Sequence, residues 1–178
     1  MHNNLVQVST QKAEKEFKQG THLASEVARL LVDKGLTLAT AESCTGGAIG
    51  ALLTAQAGSS SWFNGGVISY SNNAKINLLG VPKDIIHQHG AVSQEVVEHM
   101  AIGGCAALKS SMCVAVTGVA GPSGGTPAKP VGTVWIAWCT DGVVVKSQVF
   151  QFPGNRQAVQ TATVHMALKE VINCLLED

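Results

Sequence analysis

Charge is scarce in this sequence, and the two signs balance. The 178 residues include 12 Lys and Arg and 12 Asp and Glu, together 13% of the chain, against roughly 25% in an average soluble domain. The net charge of zero at pH 7 argues against a nucleic-acid partner, because such proteins carry a basic surface. Since charged residues are depleted where subunits meet, we expect a homo-oligomer, most simply a dimer.

Long apolar runs are also missing. No run of about 18 apolar residues is present to span a bilayer, and residues 1–20 are polar without the apolar core of a secretory signal. We therefore expect no membrane insertion and a cytoplasmic location. The length predicts one domain, so we assign residues 1–20 to a mobile polar extension and residues 21–178 to the domain.

The five cysteines and six histidines give no metal-binding pattern. No Cys-x-x-Cys pair is present, which argues against a structural zinc site and favours reduced, buried thiols. His87 and His89 lie two apart in a segment with loop character, while His99 and His165 stand singly on predicted helices. We therefore predict no metal ion.

Apolar periodicity predicts helices and strands that alternate along the chain. The predicted helices cover 22–35, 43–56, 72–81, 92–110 and a last segment with apolar residues from Ala158 to Leu175. The predicted strands cover 36–41, 67–71, 112–120, 133–140 and 143–150. Asp141-Gly142 is a strong signal for a two-residue hairpin turn. This order predicts an α/β fold, a three-layer α/β/α sandwich with a mixed, partly parallel sheet.

Ser43 lies in the segment AESCTGGAIG, between a predicted strand and a predicted helix. The first N–H groups of a helix are free and carry partial positive charge. Those of Thr45, Gly46 and Gly47 would stabilise an alkoxide on Ser43 or an oxyanion close to it. The alternative is that Ser43 only caps the helix, as serine commonly does.

Cys44 is a rival nucleophile, since a helix start favours a thiolate. No histidine is adjacent in sequence to serve as its base, although the fold could bring His87 or His89 close. A serine nucleophile also needs a base, and a buried lysine of lowered pKa can serve. Lys75 follows Tyr70, the single tyrosine, by five residues. The alternative is a solvated lysine beside a half-buried tyrosine.

The segment 117–133 is rich in glycine and proline and contains Lys129. A glycine-rich loop at the end of a strand can direct several N–H groups at an anion. The segment lacks the GxxxxGK[ST] pattern of a Walker loop. A long, mobile surface loop is the alternative.

Five segments, taken together and in this order, resemble the CinA C-terminal domain family, which includes single-domain nicotinamide mononucleotide amidohydrolases. The likeness spans about residues 22–176 and rests on TLATAESCTGG, FNGGVISYSNNAK, GAVSQEVVEHMA, VTGVAGPSGGTPAKPVGTVWIA and FPGNRQAV.

The resemblance implies hydrolysis of the carboxamide of nicotinamide mononucleotide, giving nicotinate mononucleotide and ammonia in pyridine nucleotide salvage. It assigns the nucleophile to Ser43, the base to Lys75 and a supporting tyrosine to Tyr70, with no cofactor. A non-catalytic nucleotide-binding protein and an amidase for another amide are the alternatives.

The substrate phosphate then needs a partner, and the glycine-rich loop together with a later arginine is our hypothesis. The residues expected to bind it are Gly118, Gly121, Ser123, Gly124, Gly125, Thr126, Lys129 and Arg156. The chain departs from the family pattern at Ala128, where an acidic residue is common, and at Gln160, where a second basic residue is common. Both departures bear on affinity or subunit contacts more than on the chemistry.

Overall fold

The computed structural model describes residues 2–177, with side chains for residue 11 and from residue 14 onward. Its helices are α1 His2–Lys34, α2 Ala48–Thr54, α3 Asn72–Leu79, α4 Lys83–His89, α5 Gln94–Leu108 and α6 Arg156–Glu177. Its strands are β1 Leu38–Glu42, β2 Phe63–Ile68, β3 Met112–Gly118, β4 Thr133–Thr140 and β5 Val143–Gln151. No helix within residues 2–177 is both long and apolar enough to cross a bilayer.

One mixed sheet carries the fold, in the order β2-β1-β3-β4-β5. β1 runs parallel to both β2 and β3, whereas β4 and β5 continue the sheet antiparallel. Side chains alternate between the two faces of β3: Val114 packs with α1, α2 and α6, and Ala115 packs with α5. Because each face is covered by its own apolar core, the predicted three-layer α/β/α sandwich is confirmed.

Several element boundaries differ from the prediction. Helix α1 begins at His2, where the sequence suggested a polar extension. Most of its side chains between residues 14 and 19 are exposed, so this part lacks the apolar stripe by which helices are recognised. The segment containing His87 and His89 is helix α4, not a loop.

Strand β2 begins earlier than predicted and ends at Ile68, so Tyr70 lies in the connection that follows it. The Gly65-Gly66 pair favoured a loop. Inside the strand, Gly66 leaves room for its neighbour, because a β-carbon there would collide with the hydroxyl of Thr40 on β1.

The predicted cap of α2 is wrong. The helix begins at Ala48, after a connection of residues 43–47, and its N-cap is Gly47, with a φ of 98° and no side-chain cap bond. Gly46 is also left-handed, with a φ of 65°, a conformation that glycine adopts at little cost. These two glycines delay the helix start, so Ser43 is too far from it to act as its cap.

The carboxylate of Glu42 takes over the role of the cap. This side chain is only 1% exposed, and it accepts hydrogen bonds from Thr45 Oγ1 at 2.7 Å and from the N–H groups of Gly47, Ile49 and Gly50 at 3.1, 3.0 and 2.8 Å. An anion is favoured at this end of a helix. Glu42 therefore holds the 43–47 connection and the first turn of α2 together.

Replacing Glu42 with alanine is expected to lower the free energy of unfolding by about 3 kcal/mol or more, because four donors lose their acceptor in a buried place. Denaturant unfolding followed by circular dichroism measures this loss. The exposed Glu14 on α1 provides the control, and Glu14→Ala should change stability by less than about 0.5 kcal/mol. Equal stability of the two variants would contradict the capping role.

Candidate active site

Ser43 follows β1, at the edge of the sheet where the parallel strands β1, β2 and β3 end. Its N–H donates to the carbonyl of Val116 on β3 at 3.1 Å, which extends the pairing of the two strands beyond β1. The residue is 8% exposed. Ligand sites of α/β proteins commonly form at the carboxyl ends of parallel strands. Ser43 therefore lies where a ligand site is expected in this fold.

Lys75 approaches Ser43 from helix α3. The predicted start of this helix is confirmed, since Ser71 Oγ accepts from the N–H of Ala74 at 3.1 Å. The other end of α3 packs closely on α5, where a β-carbon at Gly103 would collide with the Leu79 carbonyl. This packing sets how deeply the helix lies, and Lys75 is only 1% exposed.

The amine of Lys75 has three neighbouring oxygen atoms. Nζ lies 2.9 Å from Ser43 Oγ, 2.8 Å from the Ser69 carbonyl and 3.4 Å from the Tyr70 carbonyl. A neutral amine has two N–H donors and one lone pair. The two carbonyls can take both donors, which leaves the lone pair to accept the Ser43 hydroxyl proton.

Burial lowers the pKa of Lys75 to about 8, with the neighbouring Cys44 acting weakly in the opposite direction. Desolvation disfavours the charged ammonium, so a useful fraction of this amine is neutral close to pH 7. Lys75 is thus a base within reach of the hydroxyl that needs one.

Cys44 cannot easily compete as the nucleophile. Burial raises the pKa of its thiol to about 12, and the side chain is part of the apolar core between the sheet and α1, α2 and α6. His87 and His89, the bases left open for it, lie on α4 and do not line the cavity around Ser43.

A cavity of about 250 Å³ opens above Ser43 and Lys75. Tyr70 lies at its rim with 61% of the residue exposed, and its carbonyl, not its hydroxyl, contacts the lysine amine. The other predicted residues in the lining are Gly118, Gly121, Ser123, Gly124 and Arg156.

Three predicted phosphate contacts are not part of this cavity. Gly125, Thr126 and Lys129 lie outside its lining. The Lys129 amine donates to the His89 carbonyl at 2.9 Å, and the Lys129 N–H donates to Thr126 Oγ1 at 3.1 Å. Lys129 therefore ties the glycine-rich loop to the end of α4.

The three predicted oxyanion donors, Thr45, Gly46 and Gly47, are not in the cavity lining, and two of them already have acceptors. The N–H of Gly46 donates to the Ser43 carbonyl at 3.1 Å, and that of Gly47 donates to Glu42. The N–H groups of Cys44 and Thr45 have no oxygen acceptor among the described atoms of the chain, and the Cys44 N–H lies beside its own thiol. The donors nearest to Ser43 in sequence are therefore the ones still available.

Sequence reasoning assigned no role beside the nucleophile to three residues that shape this site. Glu42 is an acidic residue that ends an apolar strand, which was a usable signal. Gln160 lies four positions after Arg156 and therefore on the same helix face, and its Nε2 donates to the Cys44 carbonyl at 2.8 Å. Thr117 also lines the cavity, and its Oγ1 donates to the Ala91 carbonyl at 2.8 Å.

Known proteins are similar to this chain in sequence, and solved structures are similar to it in fold. The nicotinamide-nucleotide amidohydrolase PncC of Pseudomonas putida is 52% identical over 83% of this chain and 92% of its own length. The protein of the same name from Escherichia coli K12 is 42% identical over 88% of this chain and 94% of its own length.

Longer proteins also match. A CinA-like protein of Citrifermentans bemidjiense is 51% identical over 80% of this chain, and the match covers only 34% of that protein. Among solved structures, a CinA superfamily protein of Klebsiella pneumoniae 700603 has a TM-score of 0.86 and 36% identity, covering 89% of this chain and 99% of its own. Finally, the family model of the CinA C-terminal domain matches residues 20–175. The chain belongs to the CinA C-terminal domain family.

Proposed function

We propose that this protein hydrolyses the carboxamide of nicotinamide mononucleotide to nicotinate mononucleotide and ammonia, as a step of pyridine nucleotide salvage. The contact of 2.9 Å between Lys75 Nζ and Ser43 Oγ carries the proposal, because it pairs a nucleophile with a base of lowered pKa inside a cavity. The activity named for the relatives from P. putida and E. coli supports the choice of substrate.

The first half of the reaction forms an acyl-enzyme. Neutral Lys75 accepts the proton of Ser43 as Oγ attacks the amide carbon, and the carbonyl oxygen becomes an oxyanion. Free N–H groups beside Ser43 stabilise that charge, and such a donor is worth about 3 kcal/mol in known cases. The protonated Lys75 then gives its proton to the leaving nitrogen, and ammonia departs.

The second half releases the acid. Water attacks the acyl carbon, Lys75 accepts its proton, and Ser43 leaves with that proton restored. Tyr70, at the rim of the cavity, is the proposed route by which protons exchange with solvent. None of these steps requires a metal ion or an organic cofactor.

The phosphate of the substrate is proposed to bind between the glycine-rich loop and Arg156. The loop has Gly121, Ser123 and Gly124 in the cavity lining, and their backbone N–H groups can bind an anion. A guanidinium binds phosphate oxygens through two parallel hydrogen bonds. Arg156 is exposed at the start of α6, where it borders the same cavity as Ser43.

The low charge content supports a second proposal, that the protein is a dimer. We also propose a cytoplasmic location, which suits five cysteines without a Cys-x-x-Cys pair.

Replacing Ser43 with alanine is expected to reduce kcat by about 10³-fold or more, since no acyl-enzyme can form. Ammonia release from nicotinamide mononucleotide, measured with EDTA present, tests this. Cys44→Ala should keep most of the activity, because the buried thiol stays protonated. Loss of activity in Cys44→Ala together with full activity in Ser43→Ala would show that Cys44, and not Ser43, is the nucleophile.

The pH dependence should report Lys75. Because the base must be neutral, kcat/KM is expected to rise as the pH increases through about 8 and to level off above it. Lys75→Arg should abolish the activity, since a guanidinium does not lose its proton at these pH values. A rate that falls as pH rises over this range would contradict the role of Lys75 as the base.

Arg156→Ala should raise KM for nicotinamide mononucleotide by about 10-fold or more, as expected when a charge-assisted hydrogen bond is lost. The same change should leave hydrolysis of the riboside, which has no phosphate, nearly unaltered. Ammonia release from the two substrates and from free nicotinamide is measured side by side. Equal rates on all three would indicate an amidase for another amide, and binding without turnover would indicate a non-catalytic protein.

A further inference from the structure

The backbone next to the nucleophile is fixed on two sides. The Ser43 carbonyl accepts from the Gly46 N–H at 3.1 Å, and the Cys44 carbonyl accepts from Gln160 Nε2 at 2.8 Å. The two peptide units that meet at Cys44 therefore each have their oxygen held by a hydrogen bond.

Because the peptide unit is planar, these two hydrogen bonds also fix the directions of two N–H groups. In a trans peptide unit the C=O and the following N–H point in opposite directions. The bond from Gly46 therefore sets the direction of the Cys44 N–H, and the bond from Gln160 sets that of the Thr45 N–H. Neither of these two N–H groups donates to an oxygen among the described atoms.

We propose that Gln160 is a positioning residue, which holds the Cys44–Thr45 peptide so that the N–H groups of Cys44 and Thr45 form the oxyanion hole of the Ser43 nucleophile. This inference rests on the proposed function and replaces Gly46 and Gly47 as the expected donors. Glu42 supports the assignment, since its carboxylate occupies the N–H groups of Gly47, Ile49 and Gly50.

Helix α6 is a suitable anchor for this task. Gln160 is half-buried, and the following turns of the helix pack in the core, where Trp138 Nε1 donates to the Ala167 carbonyl at 3.0 Å. An amide side chain donates without adding charge, so it leaves the lowered pKa of Lys75 undisturbed. One helix end thereby presents Arg156 to the cavity and Gln160 to the backbone beside Ser43.

Three substitutions at this position test the inference in the full-length protein. Gln160→Leu and Gln160→Glu remove the donor, and Gln160→Lys keeps one. We expect the first two to reduce kcat about 10-fold or more, since small displacements of catalytic groups are costly, with KM within about 2-fold of the wild type. Because Lys and Glu add charge near Lys75, kcat is compared on the alkaline plateau of each variant's pH profile. Gln160→Lys should recover most of kcat there. Gln148→Leu, the same change at an exposed position of β5, should behave as the wild type.

The outcomes separate this inference from the proposed function. An unchanged kcat in Gln160→Leu, an effect confined to KM, or equal loss in Gln160→Lys and Gln160→Glu would overturn the role of Gln160. If Gln160→Leu does not fold, as judged by its melting temperature, the comparison of Gln160→Lys with Gln160→Glu alone decides whether Gln160 positions the peptide.

The backbone amide signals of Cys44 and Thr45 test the role of Gln160 without an activity assay. In ¹⁵N–¹H spectra, Gln160→Glu should shift the Cys44 and Thr45 resonances and speed their hydrogen exchange, whereas Gln148→Leu should not. Wild-type protein that releases no ammonia would refute the proposed function. Unaltered Cys44 and Thr45 signals would refute the positioning by Gln160, whether or not the protein is active.

Discussion

The withdrawal of the Lys75 amine from water is the interaction on which the site depends. Burial lowers the pKa of this amine to about 8. Its two carbonyl neighbours can accept both N–H groups of the neutral amine, which leaves its lone pair to accept the proton of Ser43. An exposed lysine in the same place would stay charged and would offer no lone pair. The packing of α3 against α5 and the position of Ser43 after β1 both serve to keep this pair together away from solvent.

The Glu42 carboxylate is kept apart from the Lys75 amine. Glu42 and Ser43 are neighbours, yet the carboxylate faces α2 while the hydroxyl faces Lys75. Had Glu42 contacted the amine, it would have stabilised the ammonium and raised its pKa. The carboxylate instead accepts hydrogen bonds from N–H groups at the start of α2. The structural anion and the proposed base therefore occupy opposite sides of one backbone segment.

Alternating periodicity was enough to predict the layers, the mixed sheet and the buried strand β3, because these follow from where apolar residues recur. The order of the motifs was enough to propose Ser43 and Lys75. The cap of α2 could not be predicted, since serine is a preferred cap and only the folded backbone reveals that two left-handed glycines separate Ser43 from the helix. The contact of the Lys129 amine could not be predicted for a similar reason: its partner is a carbonyl forty positions earlier in the chain, and no local pattern encodes that contact.

The contact between Gly103 and the Leu79 carbonyl links the chemistry to a position far from any substrate. A hydrogen atom in place of a side chain sets the spacing of two helices, and that spacing sets how much water reaches the Lys75 amine. A single methyl group at position 103 would push α3 outward and readmit solvent. The absence of a side chain at position 103 thus helps to set the proton affinity of an amine on another helix.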